Sequence, residues 1–436
     1  MMRPTPKAVL LFALSVPLSL LIVSIRQEAW YFSLHFPVVM LALMAADAMT
    51  ALPNRRLRAD LRTPGRLCVG QPGVVALSLS SGNFLRPLPV QALLEQTGSA
   101  DVPAVVGGTM VAGRLELALP VVPRRRGQVT VDALWLRWSG PLGLIELWRR
   151  QPVDRSIDVV PDVKGIHETA LQFFSRDAVC GVKTQRLRGE GGEFENLQDY
   201  EPGMDIRTID WKRSARHRKL LCREFRQERN HRIVLGFDTG RLMIEPVDGV
   251  PKLDHAIRAG LLLAWISLRS GDLVGGCAFD AEFRNFITPG RGMSHFTQLQ
   301  RFSAALAYRT EETNFTPGLA ELCARLRRRT LVVLFTEFVD PISAELLIES
   351  LQLMTRRHVV VFVTLRDPLL TRLRDASPVD FPRVAEAVIA DDFLRERKVV
   401  LERIARLGVH CLDAPAQTVP ATLLNRYLRI KQRGLL

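Results

Sequence analysis

A chain of 436 residues with 47% hydrophobic content is long enough for two or three domains, and it suits a core of ordinary size plus a small membrane part. A formal net charge of +14 fits nucleic acid, anionic lipid or an acidic protein as partner, but no specific nucleic-acid-binding motif accompanies it. None of Cys68, Cys180, Cys222, Cys277, Cys323 and Cys411 lies within four residues of another, so no C-x-x-C zinc site is possible and no disulfide framework is suggested; isolated thiols fit a reducing cytosol.

Residues 8–25 and 29–46 are uncharged apart from His35, and each run is about the length of a membrane span, which needs roughly 17–25 residues. Arg26-Gln27-Glu28 separates them, so the pair reads as a tight transmembrane helical hairpin. Arg3 and Lys7 precede it, and Arg55, Arg56, Arg58 and Arg62 follow it. The positive-inside rule then puts both termini in the cytoplasm. A signal peptide is the alternative for the first run, but no small-x-small cleavage site follows closely and a second run does.

From about Leu67 to Val163 the pattern changes to short apolar runs with Gly and Pro between them, such as Val74–Leu79, Leu115–Val122 and Val129–Trp138. That spacing predicts an antiparallel β-sandwich.

Residues 191–229 read GGEFENLQDYEPGMDIRTIDWKRSARHRKLLCREFRQER. Acids fill the first half and bases the second, and the blocks meet at Asp210-Trp211-Lys212. Pro202-Gly203 is a turn signal. The pattern predicts a folded arm in which Asp205 and Asp210 clamp onto Arg207 and Arg216 while Trp211 plugs the fold; a charged surface strand or linker is the other reading. The run from Gly192 to Arg216 resembles the signature of the bacterial family called domain of unknown function 58, with matches at Gly203, Asp205, Arg207, Asp210, Trp211, Lys212, Ala215 and Arg216. Met204 stands where many relatives carry an acid. Upstream, Gly140-Pro141-Leu142-Gly143-Leu144 stands where the family's sandwich domain commonly has a D-P-F-G-L turn.

After the arm, apolar strands and periodic helices alternate: Arg232–Asp238, Leu253–Leu268, Asp272–Phe279, Thr330–Phe335 and His358–Leu365 are the clearest. Alternation of this kind gives a doubly wound α/β sheet, and it resembles the von Willebrand factor A fold that the family likeness also implies. The expected division is a transmembrane hairpin at 1–52, a β-sandwich at 53–165, the signature arm at 166–230 and a von Willebrand factor A-like domain at 231–436. The run Arg325-Leu326-Arg327-Arg328-Arg329 ends a helical pattern, where cations favour the macrodipole.

Von Willebrand factor A domains hold a divalent ion through D-x-S-x-S, a Thr in a second loop and an Asp in a third. Here Asp238 keeps the first carboxylate, Gly240 and Leu242 replace both serines, Thr313 is the second-loop candidate and Glu337 stands for the Asp. A degenerate site with weak or no Mg²⁺ binding is expected, with Glu337 either reaching an ion or pairing with Arg241, and no other cofactor. No P-loop, zincin motif or nucleophile elbow is present. Cys222, near His217 and His231, reads as a packed structural thiol rather than a nucleophile. The family resemblance implies a non-enzymatic adaptor in the bacterial inner membrane that binds proteins, working with a MoxR-type AAA+ ATPase in chaperone-like assembly. The alternatives are a hydrolase acting on peptide or envelope material through the arm's acids and Cys222, and electrostatic binding to nucleic acid or lipid.

Overall fold

The computed structural model describes residues 2–25, 30–82, 86–98, 100–102, 105–161, 188–201, 206, 209–226, 231–338, 341–376 and 380–436. The chain forms two units, Met1–Asp162 with Asp248–Val250, and Val163–Val247 with Pro251–Leu436.

In the first unit, strand β1 (Met2–Pro4) leads into helices α1 (Pro6–Ile25) and α2 (Trp30–Thr50). Strands β2 (Leu57–Arg62), β3 (Arg66–Cys68), β4 (Gly73–Ser81), β5 (Leu88–Thr97), β6 (Ala100–Asp101), β7 (Val106–Met110), β8 (Arg114–Pro123), β9 (Gly127–Ser139) and β10 (Ile145–Val160) follow. One sheet runs β1-β10-β9-β5-β7 with β3 beside β10, and the other runs β2-β4-β8-β6. Alternate residues of each strand point to opposite faces, so Val75, Leu77 and Leu79 from one sheet meet Leu134, Leu136 and Trp138 from the other in a single core. The Trp138 indole N–H donates to the Leu52 carbonyl at 3.0 Å, which satisfies its one polar atom inside that core.

The transmembrane hairpin expected from residues 8–25 and 29–46 is corrected here. Helices do form, but among the described residues none is long and apolar enough to cross a membrane. The helix ends are occupied instead by contacts within the unit. Ala8, Met40 and Leu144 form a small apolar cluster, and the fully buried Asp47 carboxylate accepts from the backbone N–H groups of Leu142 (2.7 Å), Leu144 (2.8 Å) and Ile145 (3.0 Å). The reading of two membrane spans falls with it.

Asp47 also explains the turn at Gly140. An Asp at the head of such a turn bonds the backbone N–H two residues on. Here Asp47, distant in sequence, bonds Leu142 in that way, and a Cβ on Gly140 would lie 2.4 Å from its Oδ1. The carboxylate comes from α2, and position 140 is glycine because the oxygen takes the space of its side chain.

The second unit begins with β11 (Arg188–Asp199), α3 (Trp211–His217) and β12 (Leu221–Arg226). β11 and β12 pair antiparallel, with Asp199 opposite Leu221 and Gln198 opposite Cys222. The chain continues with β13 (Arg232–Asp238), α4 (Arg241–Ile244), β14 (Pro246–Val247), β15 (Val250–Pro251), α5 (Lys252–Arg269), β16 (Leu273–Phe279), β17 (Phe283–Gly290), α6 (Gly292–Ala305) and α7 (Phe315–Arg325). It closes with β18 (Leu331–Phe335), α8 (Pro341–Thr355), β19 (Val359–Arg366), α9 (Pro368–Asp375), α10 (Phe381–Arg406), β20 (His410–Pro415) and α11 (Val419–Gln432).

The central sheet has the order β17-β16-β13-β18-β19-β20, parallel except for the antiparallel edge strand β17. Its inner strands are apolar at nearly every position because both faces are covered. Ile233, Leu235 and Phe237 pack with α5, α6 and α11, while Val234, Leu334 and Phe362 pack with α7, α8 and α10. Asp272, fully buried, fastens α11 by accepting from Lys431 Nζ at 2.8 Å and from the Tyr427 hydroxyl, and it also takes the His231 backbone N–H at 3.0 Å. Burial and the Asp272 charge push the Tyr427 phenol far up.

Candidate functional site at the carboxyl end of the sheet

In an open α/β sheet, ligands bind beyond the carboxyl ends of the strands. Here β13 ends at Asp238, and the residues after β18 are Thr336 and Glu337. Asp238 is fully buried. Its Oδ1 accepts from Thr313 Oγ1 at 2.7 Å and from the Gly240 N–H at 2.8 Å, and its Oδ2 accepts from Thr336 Oγ1. Burial raises the Asp238 pKa to about 6, against the lowering bonds from Thr336, Gly240 and Thr313, and the nearby Asp280 charge adds to the rise.

Gly240 is essential to this arrangement. A Cβ at that position would lie 2.2 Å from Thr313 Oγ1 and 3.1 Å from Asp238 Oδ1. The lost serine therefore makes room for a threonine hydroxyl from another loop. Leu242 adds no oxygen, and it lies half-buried on α4. The Thr239 hydroxyl turns to Asp280 Oδ2 (3.1 Å) and the Phe279 carbonyl (3.2 Å). Asp280 in turn is held by Arg284 Nε at 2.9 and 3.0 Å. Burial pushes the Asp280 carboxyl up, yet the bonds from Arg284, the Glu282 N–H and Thr239 outweigh it and leave it below the usual range. Among the described residues no three His, Cys, Asp or Glu side chains are grouped to hold a metal ion. The donor set does not fit a divalent cation: the Asp238 carboxylate already accepts from three donors, and Gly240 and Leu242 offer no side-chain oxygen.

Glu337 is 2% exposed and belongs to a second cluster. Its Oε1 accepts from Arg397 Nη1 at 2.7 Å and from Thr364 Oγ1 at 2.8 Å, and its Oε2 accepts from Arg397 Nη2 at 3.2 Å. Arg397 Nη2 reaches on to Asp413 Oδ1 at 3.2 Å, and Lys252 Nζ stands 3.9 Å from Glu337 Oε2 while bonding Glu245 at 2.7 Å. Arg241 is exposed, and its backbone N–H donates to the Glu311 carbonyl. The expected pairing of Glu337 with Arg241 is therefore corrected to Arg397, on α10. No local pattern could have revealed Arg397, because it is one Arg among many in an amphipathic helix and its partner lies 60 residues away.

The arm's matches divide. Gly203, Asp205 and Arg207 lie outside the described residues. Asp210 is buried and caps α3 by accepting from the Arg213 N–H at 3.2 Å, a contact of a kind worth about 1 kcal/mol. Ser214 continues the lock, its Oγ accepting from the Leu221 N–H at 2.9 Å. Trp211 is 65% exposed, so it is not the plug that the charge pattern suggested, and Lys212 and Arg216 face solvent beside it. The first helical turn points Trp211 outward because Asp210 at the cap and Ser214 one turn on take the inward positions. Cys222 is buried in β12, whereas His217 is exposed and His231 lies buried at the start of β13.

The class is thus a doubly wound α/β module with an antiparallel edge strand and a hydrogen-bonded aspartate closing its carboxyl end. Residues 196–408 match the model of the family described as "Protein of unknown function DUF58". It is 23% identical over 265 residues to an uncharacterized protein of Mycobacterium tuberculosis and to one of Mycobacterium bovis, covering 57% of this chain and 83% of each relative. Similar solved structures include an aerotolerance-related membrane protein from Bacteroides fragilis (13% identity, TM-score 0.30, 45% of this chain and 97% of that one). Another is the conserved hypothetical protein BatB from Bacteroides thetaiotaomicron (10% identity, TM-score 0.23, 41% and 98%).

Proposed function

We propose that this chain is a protein-binding adaptor that acts without turnover and docks its partner through α10. The observation that carries this reading is an apolar stripe on that helix. Phe381, Val384 and Val388 recur at the i, i+3, i+7 spacing of one face, with Ile389 and Phe393 beside them, and Phe381 is 84% exposed. Contiguous apolar surface of this kind marks interaction sites on soluble domains. The inner face of the same helix carries Arg397, bonded to Glu337, so the docking helix is tied to the end of the sheet. The groups at that end that would otherwise do chemistry are engaged with one another. The partner that the family resemblance implies is a MoxR-type AAA+ ATPase, which would contact the stripe through an apolar face of its own.

Val388→Asp with Ile389→Asp tests this. Both residues are exposed, so the fold should survive, while binding to a purified MoxR-type ATPase from the same source should fall by about tenfold or more. Undiminished binding by the double variant would remove α10 as the docking surface.

A further inference from the structure

At the opposite, amino-terminal end of the sheet, the loops leading into β18 and β19 lie side by side, joined by the Val359 N–H donating to the Thr330 carbonyl at 3.1 Å. They line a cavity of about 490 Å³ with Arg327, Arg328, Arg329, Arg357 and His358. We propose that this cavity binds a phosphate-bearing anion of diphosphate size.

Compensation of helix dipoles does not account for these charges. α7 ends at Arg325, which pairs with Glu321 at 2.7 Å and lies over the Phe283 ring. Arg327–Arg329 lie past the helix end. The C-termini of α7 and α8 each present about half a negative charge, far less than four guanidiniums. Among the described residues no carboxylate pairs with Arg327, Arg328, Arg329 or Arg357; Arg329 instead donates to the Leu435 carbonyl at 3.0 Å.

The second observation is His358. It is 5% exposed and lines the same cavity, yet neither ring nitrogen has a hydrogen-bond partner. Buried polar groups are nearly always paired. Burial, with Arg357 and Arg329 nearby, holds its pKa below the usual imidazole value, so at neutral pH the ring keeps one N–H to donate and adds no charge. A phosphate oxygen accepts both from that N–H and bidentately from guanidinium forks. The cavity exceeds the volume of one phosphate, and four cations match the charge of two linked phosphates.

Calorimetric titration of the full chain with pyrophosphate tests the site, with inorganic phosphate, a phosphoserine peptide and octaglutamate in parallel. Pyrophosphate is expected to saturate at submillimolar concentration in physiological salt and to bind at least about tenfold tighter than inorganic phosphate. Arg357→Ala and Arg328→Ala, both exposed, should each weaken it about tenfold, and His358→Phe should weaken it while the melting temperature stays near wild type. Tighter binding of the phosphopeptide than of pyrophosphate assigns the phosphate to a protein, and the reverse assigns it to a free ligand. No saturation by any phosphate compound, equal binding of octaglutamate, or binding untouched by Arg357→Ala and His358→Phe overturns the proposal.

Discussion

Arg397→Met is expected to cost the second unit about 3–5 kcal/mol, the range for removing one partner of a buried ion pair. At about 2–4 °C per kcal/mol for a unit of this size, the melting temperature should fall by roughly 6–20 °C. The cause is the charge left behind. Glu337 is 2% exposed, and its two oxygens face Arg397 at 2.7 and 3.2 Å. Without the guanidinium the carboxylate keeps Thr364 and the Phe338 N–H as donors, but its remaining cation, Lys252, stands 3.9 Å away and is already engaged with Glu245. Glu337→Leu combined with Arg397→Met removes both charges and should recover most of the loss. A change of under about 1 kcal/mol in the single variant, the value for an exposed pair, would show that the pair is solvated. Lys252 is itself buried in this cluster, so a substitution there should also be destabilising.

Asp238→Asn should change how stability depends on pH. The folded carboxyl titrates at about 6, above its ordinary value of 3.8, so between these values the native state holds a proton that the unfolded chain has lost. Stability from this group is complete below about pH 4 and disappears as pH rises through about 6. The difference amounts to about 3 kcal/mol at neutral pH. The substituted amide carries no charge, so urea-unfolding midpoints of the variant should decline less than wild type between pH 4 and pH 7. Parallel profiles for the two proteins would mean that the Asp238 carboxyl stays ionised through that window, stabilised by its three donors.

The strands of the second unit were legible because they are buried on both faces. Leu331–Phe335 is apolar at every position, and no alternating pattern competes with it. The helices were legible where one face is covered, as in α5. The N-terminal runs misled because apolar length alone does not separate a membrane span from a helix docked on its own domain. Just past the second run, Asp47 serves its own unit, as the carboxylate that holds the turn formed by residues 140–145. At the site, Asp238, Gly240, Thr313 and Glu337 could be found by comparing loop positions with a known pattern. What Gly240 is for could not be found, since it depends on a hydroxyl from 73 residues further along. The Arg run after α7 shows the same limit. Where the helix stops, at Arg325, decides between capping a dipole and lining a cavity, and helix ends are the least legible feature of a sequence.

The claim on which the rest depends is that hydroxyl and amide donors, not a cation, complete the carboxyl end of the sheet. Calorimetric titration of the full chain with Mg²⁺ tests it most directly. Asp238 is already bonded by Thr313, Gly240 and Thr336, so no saturable heat is expected below millimolar Mg²⁺, and Thr313→Ala should not create any. Saturable binding in the micromolar range, abolished by Asp238→Ala, would contradict it.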